Sequence, residues 1–488
     1  MKKALVIGSG VAGLGVAIRL KALGYNTIVL EASAGPGGKL KQKQVGAYRF
    51  DRGPSLFTRP DLVEELLLLA GKKPSELLTY RRLDTLCHYF FSNHKRFIAP
   101  SNPEQFVDAL YQALGEPPKN TLRFLKKANQ INQVAGKVFL ENSLHDWRTY
   151  LKPQTLWSLI NIYQIDSLRT MNQANVSYFD KKETIQLFNR YATYNGSNPY
   201  QTPATLNLIS TLEMNQGAFF PDQGMYQITQ SLYQAAVDMG VQFQFNTPVS
   251  RIVHHNNRVE GVITQGGEKI DCDLVVSNSD SYNTYRYLLN NHPKTRSIEQ
   301  IERSSSAVIF YWGIKKTFPD LDLHNILFSE DYEAEFQSIF KHKTVPSDPT
   351  VYINISSKYR QEDAPEGCEN WFVMVNTPAK TDLVTEEVLD QLRNAIAKKV
   401  EQHFGIDILS LIEVEDVLTP QGIETETGSY LGALYGTASN QKLAAFLRPS
   451  NFVSDIKGVY LCGGSSHPGG GIPLCLLSAQ ITANLIDS

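Results

Sequence analysis

The residues most able to do chemistry lie in a glycine-rich turn close to the start of the chain. An apolar stretch at Lys3–Ile7 runs into Gly8, Gly10 and Gly13, and the apolar residues 14–23 then predict a helix. Gly8 permits a tight turn, Gly10 lets a pyrophosphate approach the backbone, and Gly13 allows close packing of helix on strand. Phosphate oxygens would meet the positive end of the helix dipole. The spacing therefore predicts a dinucleotide-binding βαβ unit.

An acidic residue after the second predicted strand indicates which kind of dinucleotide is bound. Residues 27–30 predict that strand, and Glu31 follows it directly. A carboxylate at this position can accept hydrogen bonds from the ribose of adenosine, whereas a 2′-phosphate would meet its negative charge. Glu31 therefore disfavours NADP.

Two further glycine clusters could complete this nucleotide site. Gly37-Gly38-Lys39 suits a loop that wraps a diphosphate from a second side, although a surface turn is the alternative. The run 462–473 follows a predicted strand at 458–461 and opens an apolar helix, with Pro473 suited to its first position. The N-terminus of that helix would stabilise the negative charge of a reduced flavin.

The composition is that of a sizeable globular protein. Its 488 residues predict two or three domains, at roughly 100–200 residues per domain. Hydrophobic residues make up 42% and charged residues 20% of the chain, which excludes wholesale disorder. The net charge is −2 and the lysine pairs are scattered, so nucleic acid is not an expected partner.

The cysteines and the first residues favour a cytoplasmic protein. The five cysteines form no CxxC motif and their number is odd, which argues against a disulfide framework. The first predicted strand begins almost at the N-terminus, which leaves no room for a signal peptide. No charge-free apolar run reaches roughly 18 residues, so no membrane-spanning helix is expected. No motif with the spacing of metal ligands occurs either.

The glycine clusters at both ends of the chain predict a discontinuous nucleotide-binding domain. We expect an α/β fold in which residues 1–80, 220–285 and 416–488 form a Rossmann-like domain. A second, inserted α+β domain that would hold the substrate is expected from residues 81–219 and 286–415. Residues 85–215 show helical periodicity and many aromatic residues, whereas 286–415 predict mixed strands and helices.

Several longer blocks resemble a known family. VIGSGVAGLGVAIRL, EAS-x3-GGK, DRGPS and SHPGGGIP are similar to the bacterial carotenoid desaturases of the phytoene desaturase type, within the amine oxidase-like FAD flavoproteins. GPSLFT, RLDTLCHYFF and RYATYNGSNPY most resemble the 1-hydroxycarotenoid 3,4-desaturases among them. The resemblance covers essentially the whole chain.

The resemblance implies FAD as cofactor and a set of residues that hold it. This set is Gly8, Gly10, Val11, Ala12, Gly13, Glu31, Ala32, Gly38, Lys39, Gly53, Pro54, Ser55, Val249, Gly463, Gly464, Gly471, Ile472 and Pro473. Within it, Gly53, Pro54 and Ser55 would lie near the flavin ring. Many relatives have arginine where Lys39 stands, so this chain keeps the charge but loses the bidentate fork.

The resemblance also implies the reaction, in which a carotenoid substrate loses a hydride to the flavin and gains a C=C bond. Peripheral association with the inner membrane is expected, because such a substrate resides in the bilayer. The chain has one GxGxxG motif and so no separate nicotinamide domain, which leaves oxygen or a quinone as the electron acceptor. Six aromatic residues could line a long apolar tunnel, with ordinary core packing as the alternative. They are Tyr178, Phe179, Tyr191, Tyr194, Phe219 and Phe220.

His467 is the one titratable side chain inside the C-terminal flavin motif. It is a candidate for the chemistry, and the alternative is that it orders the loop. Other functions also stay open. These are phytoene desaturation, carotenoid isomerisation and, more distantly, an amine oxidase or protoporphyrinogen-type oxidase.

Overall fold

The computed structural model describes residues 1–441 and 448–488. The strands, numbered in chain order, are β1 (Lys3–Ile7), β2 (Asn26–Leu30), β3 (Lys41–Val45), β4 (Tyr48–Arg52), β5 (Tyr80–Arg82), β6 (Thr85–Phe90), β7 (Arg96–Pro100), β8 (Phe219–Pro221), β9 (Gln242–Gln244), β10 (Val249–His255), β11 (Arg258–Thr264), β12 (Lys269–Asp271), β13 (Leu274–Ser277), β14 (Ser306–Ile314), β15 (His324–Leu327), β16 (Val351–Ile355), β17 (Glu369–Thr377), β18 (Ile412–Leu418) and β19 (Val459–Leu461).

The α-helices are numbered in the same way. They are α1 (Val11–Ala22), α2 (Asp61–Leu69), α3 (Pro74–Leu77), α4 (Pro103–Leu114), α5 (Pro118–Ile131), α6 (Lys137–Glu141), α7 (Pro153–Ile160), α8 (Met171–Tyr178), α9 (Lys182–Asn189), α10 (Leu208–Thr211), α11 (Tyr226–Asp238), α12 (Ser281–Asn283), α13 (Lys294–Glu299), α14 (Tyr332–Phe336), α15 (Glu386–Phe404), α16 (Pro420–Thr427) and α17 (Ile472–Asp487).

A five-stranded parallel sheet forms the nucleotide-binding half of the molecule. Its order is β19-β13-β1-β2-β9, with β1 in the centre. Helices α1, α11 and α17 cover one face, and the small antiparallel sheet β10-β11-β12 covers the other. Because both faces of β1 and β13 are buried, these strands are nearly continuous apolar runs, as expected for a parallel sheet, whereas the edge strand β9 is partly exposed.

A seven-stranded sheet forms the other half. Its order is β18-β14-β17-β16-β15-β6-β7, and its pairs are antiparallel except for the parallel pair of β6 and β15. Side chains alternate across β14, as strand geometry requires. Phe310 and Trp312 pack with α15 in one core, whereas Ile309 and Tyr311 belong to a second core on the opposite face.

The predicted α/β fold with a Rossmann-like sheet is confirmed, but several predicted boundaries fall inside strands. β5 and β8 pair with each other, so the boundaries at 80/81 and 219/220 both cut one two-stranded ribbon. β18 is the edge strand of the seven-stranded sheet, which therefore reaches Leu418 rather than residue 415. Within residues 85–215, β6 and β7 are strands because they pair in a sheet with β15, more than 200 residues away in the chain.

Candidate active site

The turn between β1 and α1 has the geometry that the glycine spacing predicts. Gly8 has a φ of +93°, and a Cβ added at Gly13 would lie 2.0 Å from the carbonyl oxygen of Gly8. Only glycine fits at a contact this short. The amide oxygen of Asn278, in the orientation that satisfies its neighbours, accepts hydrogen bonds from the N–H groups of Gly10 and Gly13 at 3.2 Å. Val11 and Ala12 are buried in the first turn of α1.

Glu31 lies at the carboxyl end of β2 and is almost fully buried. Burial alone would raise the pKa of Glu31, but hydrogen bonds from Ser9 and Ser33 lower it below its ordinary value. The Ser9 amide and hydroxyl both donate at 2.7 Å, and the Ser33 amide and hydroxyl donate at 2.9 and 2.8 Å. Ala32 is exposed beside it. The chain before Val249 is joined to this turn, because the Thr247 amide donates to the Glu31 carbonyl at 2.8 Å.

The second glycine loop packs directly on the first. The Gly37 amide donates to the Ser9 carbonyl at 3.0 Å, and a Cβ at Gly38 would lie 3.3 Å from the Cα of Gly10. Lys39 follows, and its Nζ donates to the carbonyls of Ala433 and Leu434 at 3.1 and 2.8 Å. Burial lowers the pKa of Lys39, although the nearby carboxylate of Asp280 opposes this. Lys39 therefore ties this loop to the segment before the C-terminal glycine run.

The loop after β4 brings Gly53, Pro54 and Ser55 to the same place. Gly53 has a φ of +105°, and a Cβ there would lie 2.0 Å from the Lys39 carbonyl oxygen. The hydroxyl of Ser55 lies 2.7 Å from the hydroxyl of Tyr352 on β16. This contact joins the nucleotide-binding half to the seven-stranded sheet.

The C-terminal glycine run curls over the opposite side. Gly463 has a φ of +106° and packs against Asn278, and Gly464 packs on Gly470. Gly471 has a φ of +102° with no atom within 4 Å of an added Cβ, and α17 begins at the next residue with Pro473 in its first turn. The positive end of α17 therefore faces open space, where it favours a negatively charged group.

His467 lies in this run but is not among the described residues that line the cavity beside it. Its side chain is 1% exposed, and burial lowers its pKa to about 4. Nε2 donates to the carbonyl of Asn142 at 2.9 Å. The His467 carbonyl accepts from Asn451 and Ser478, both at 2.8 Å. This arrangement fits the alternative in which His467 orders the loop.

One large cavity joins the glycine loops to the seven-stranded sheet. It holds about 1660 Å³ of space free of protein atoms, including its open mouth. We call one side the nucleotide wall, formed by Gly38, Lys39, Gly53, Pro54, Ser55, Gly471, Ile472 and Pro473. We call the other side the substrate wall. Its apolar members are Leu56, Leu86, Ile309, Ile326, Phe372, Met374, Leu418, Ile423 and Leu434. Its polar members include Arg190, Thr193, Tyr194, His324, Tyr332, Thr350, Tyr352, Asn376 and Thr427.

Arg190 is the charged centre of the substrate wall. Its guanidinium lies over the rings of Tyr89, Tyr191 and Tyr194, at 5.2, 4.7 and 5.0 Å from their centroids. The Tyr194 hydroxyl donates to Glu213 at 2.7 Å. Burial raises the pKa of Glu213, while the charge of Arg190 opposes that rise. Of the six aromatic residues predicted to line a tunnel, Tyr194 lines the cavity, whereas Phe179, Tyr191 and Phe220 are buried in the aromatic core.

The sequence analysis did not predict His324, Tyr352 or Arg190 as site residues. His324 and Tyr352 come from β15 and β16, whose side chains reach the cavity only after the sheet has formed. Arg190 stands in the RYATYNGSNPY block, which indicated a subfamily but no role. An isolated arginine beside several tyrosines, in a segment with few other charges, was the signal that could have been used.

Comparison with known proteins identifies the same family as the sequence motifs. Residues 11–487 match the family of flavin containing amine oxidoreductases. The chain is 49% identical over 488 residues to the 1-hydroxycarotenoid 3,4-desaturase of Flavobacterium sp. (strain P99-3), covering 100% of this chain and 99% of that protein. It is 30% identical to the 4,4'-diaponeurosporene oxygenase of Staphylococcus haemolyticus (strain JCSC1435), covering 100% and 97%. The resemblance inferred from the sequence is thereby confirmed.

The fold is shared with solved structures at much lower identity. Putrescine oxidase bound to putrescine superposes with a TM-score of 0.64 at 14% identity, covering 100% of this chain and 99% of that one. The geometry also fits FAD, the cofactor of the chain. Gly38, Gly53 and Gly471 line the cavity at positive φ, and a side chain at Gly53 would collide with the opposite loop. The chain belongs to the family of flavin containing amine oxidoreductases.

Proposed function

We propose that this protein is an FAD-dependent carotenoid desaturase that introduces the 3,4 double bond into a 1-hydroxycarotenoid. The observation that carries the proposal is the cavity, whose nucleotide wall and largely apolar substrate wall face each other. A long hydrocarbon chain can lie there against the flavin loops. Further support is the 49% identity over the whole chain to a protein that bears this name.

The residues of the chain supply orientation and a dry site. When bound, FAD accepts a hydride from the substrate. Ile309, Ile326 and Phe372 on the sheet hold the polyene by apolar contact and exclude water from it. The positive end of α17 at Gly471 stabilises negative charge on the same side of the cavity. Ser55 and Tyr352 fix the distance between the two walls.

The mass of the product tests this proposal. The flavin-loaded protein is incubated in liposomes with a 1-hydroxycarotene, and the extracted pigment is analysed by absorption and mass. A product lighter by two hydrogens, with a longer conjugated chain, is expected. An unchanged mass would indicate isomerisation, and added oxygen would indicate an oxygenase, as the name of the staphylococcal relative suggests. Faster conversion of phytoene would move the assignment to the early desaturases.

We also propose that electrons leave the reduced flavin for oxygen or a quinone. The described residues contain one glycine-rich turn of the βαβ type, at Gly8 to Gly13, and this turn belongs to the flavin site. Turnover should therefore persist without NAD(P)H when oxygen or a quinone is supplied. Strict dependence on added NADPH would contradict this proposal.

Finally, we propose peripheral binding to the inner membrane through an exposed apolar surface. No helix in the described part of the chain is long and apolar enough to cross a membrane. Residues 147–168 nevertheless expose Trp147, Leu151, Leu156, Trp157, Ile160, Tyr163 and Leu168. Contiguous exposed apolar side chains with tryptophan and tyrosine suit the interface of a bilayer, in which a carotenoid resides. The contact of His467 with Asn142 holds the flavin loop close to the start of this surface.

A further inference from the structure

Three buried hydrogen-bond donors on the substrate wall find no acceptor in the described part of the protein. They are Nε and Nη2 of Arg190, and one ring nitrogen of His324, Nε2. Arg190 is 7% exposed and His324 is 4% exposed, and both line the cavity. Buried donors are almost always paired in folded proteins, because an unpaired one is costly. The missing acceptor is therefore expected on the ligand.

The surroundings of His324 decide which of its ring nitrogens carries the proton. The Nδ2 of Asn354 donates to the carbonyl of Leu323 at 3.0 Å, which fixes the orientation of the amide. The same nitrogen, which carries only hydrogen-bond donors, lies 3.3 Å from Nδ1 of His324, so Nδ1 cannot carry a proton itself. The single lone pair of Nδ1 accepts from the closer donor, the hydroxyl of Tyr352 at 2.7 Å. The proton of the neutral ring is therefore on Nε2.

Burial, assisted by the charge of Arg190, lowers the pKa of His324 to about 3, so the ring is neutral at physiological pH. Nε2 is thus an N–H donor that lacks an acceptor, which excludes a role as general base through this nitrogen. The N–H group at Nε2 of His324 can instead donate a hydrogen bond to an oxygen atom of a ligand.

The position of His324 matches a hydroxyl close to the reacting bond. Tyr352 is hydrogen bonded to Ser55 on the nucleotide wall and to His324 on the substrate wall, at 2.7 Å in both cases. A single side chain, that of Tyr352, therefore connects His324 to the flavin loop. In a 1-hydroxycarotenoid, two carbons, C1 and C2, separate the hydroxyl oxygen from the C3–C4 bond. Only a donor near the flavin loop can reach that oxygen while the bond faces the flavin.

Arg190 lines the same cavity and is held in place by its neighbours. Its Nη1 donates to the Tyr194 hydroxyl at 3.1 Å, and the carboxylate of Glu213 lies 3.9 Å from Nη2, beyond hydrogen-bond distance. The stacked rings of Tyr191 and Tyr194 restrict its movement. Nε and Nη2 of the guanidinium can therefore donate hydrogen bonds to a further acceptor.

We propose that His324, with Arg190, binds the hydroxyl oxygen on the end group of the substrate and so sets the preference for hydroxylated carotenoids. This inference rests on the proposed function. The ligand chemistry is an alcohol on an otherwise hydrocarbon chain, and the apolar residues around it bind hydroxylated and unhydroxylated chains alike.

The test compares a 1-hydroxycarotene with the same carotene lacking the hydroxyl, using the flavin-loaded protein. His324→Phe removes the donor, whereas His324→Gln keeps an N–H group near the position of Nε2. We expect kcat/KM for the hydroxylated substrate to fall about 10- to 100-fold in His324→Phe, as for loss of a buried hydrogen bond. The value for the unhydroxylated substrate should change less than threefold, on the order of experimental scatter. His324→Gln should recover part of the preference.

His88→Phe is the matched control, because His88 lies on the neighbouring strand β6 outside the described cavity lining. It should leave the preference unchanged. Arg190→Lys keeps the charge but removes the planar fork, and it should reduce the preference without loss of flavin. An equal fall for both substrates in His324→Phe would overturn the proposal, since a structural or catalytic role would act on both.

The dissociation constants of both carotenoids, measured anaerobically by difference absorption, separate this inference from the proposed function. If the wild-type protein converts neither substrate but binds the hydroxylated one more tightly, and His324→Phe removes that difference, the desaturase assignment fails and the hydroxyl site stands. If wild type and His324→Phe bind the two carotenoids with the same ratio, the hydroxyl site is wrong.

Discussion

The two walls of the cavity are built in different ways. The nucleotide wall consists largely of backbone, with glycines at Gly38, Gly53 and Gly471 where positive φ or a close approach requires them. The substrate wall consists of side chains that strands and a short helical turn carry from distant parts of the chain, such as Arg190 and His324. At Gly38 and Gly53 the first wall tolerates almost no change in residue type, whereas the second wall can change its specificity by single substitutions. A flavin fold can therefore keep its cofactor while its substrate changes.

The largest expected effect comes from breaking the glycine turn between β1 and α1, on which the nucleotide wall packs. In Gly13→Ala the new Cβ would lie 2.0 Å from the Gly8 carbonyl oxygen, and backbone cannot yield as a flexible side chain does. We expect loss of flavin and destabilisation by about 3 kcal/mol or more. Flavin absorbance after gel filtration measures the loss of flavin, and the midpoint of urea unfolding measures the destabilisation. Gly35→Ala is the control, because nothing lies within 4 Å of an added Cβ there. Normal flavin content in Gly13→Ala would contradict the role of the turn.

This difference also explains what could be predicted from the sequence. The need for glycine is local, so the turn at Gly8–Gly13 and the runs around Gly38 and Gly471 predicted the βαβ unit and the cofactor. The strand Lys3–Ile7 has the same bounds in the structure as in the prediction. The Arg190 and His324 side chains line one cavity because β15 pairs with the distant strand β6, whose Tyr89 lies under the Arg190 guanidinium, and no local pattern encodes this pairing. The strands β6 and β7 were missed for the same reason.

A smaller effect is expected when the contact between the walls is removed. Tyr352→Phe leaves Ser55 and Nδ1 of His324 without their shared partner. We expect kcat/KM to fall about tenfold for a hydroxylated carotenoid, corresponding to roughly 1–2 kcal/mol. Flavin content should stay normal, since Tyr352 belongs to the substrate wall. Loss of flavin from this variant would show that the two walls are not independent.

The loop beside the nucleotide wall should add a pH dependence of its own, through His467, to that of the neutral His324 on the substrate wall. The folded pKa of His467 is about 4, below the ordinary 6.5, because the buried ring is held neutral. Its contribution to stability is therefore present above pH 6.5 and is lost as the pH falls towards 4. When the pH falls from 7.5 to 5.5, protonation of His467 in the unfolded chain should lower the free energy of unfolding by about 1 kcal/mol.

His467→Gln keeps an N–H donor for the Asn142 carbonyl but cannot titrate. The urea-unfolding free energy of this variant should fall less steeply over that pH range than that of the wild type. Parallel pH profiles for the two proteins would show that His467 is not held neutral in the fold.

The smallest effect on stability is expected outside both walls, on the apolar surface 147–168. Ile160 is 75% exposed, so Ile160→Glu combined with Trp157→Glu should leave flavin content and the unfolding midpoint unchanged. Binding to liposomes of anionic lipid should nevertheless fall about tenfold or more, because charges are expelled from the bilayer interface. Tyr287→Glu, at a position 61% exposed elsewhere, is the control. Sedimentation with liposomes that is equal in all three proteins would rule out this surface as the membrane contact.

We propose that the two walls bring a carotenoid into direct contact with the flavin. To test this contact, the flavin-loaded protein is mixed anaerobically with a 1-hydroxycarotenoid in liposomes, without NAD(P)H or a quinone. We predict that the flavin absorbance bleaches once, in proportion to a product lighter by two hydrogens. A flavin that stays oxidised while the carotenoid is bound, or a product that forms without bleaching, would contradict the account.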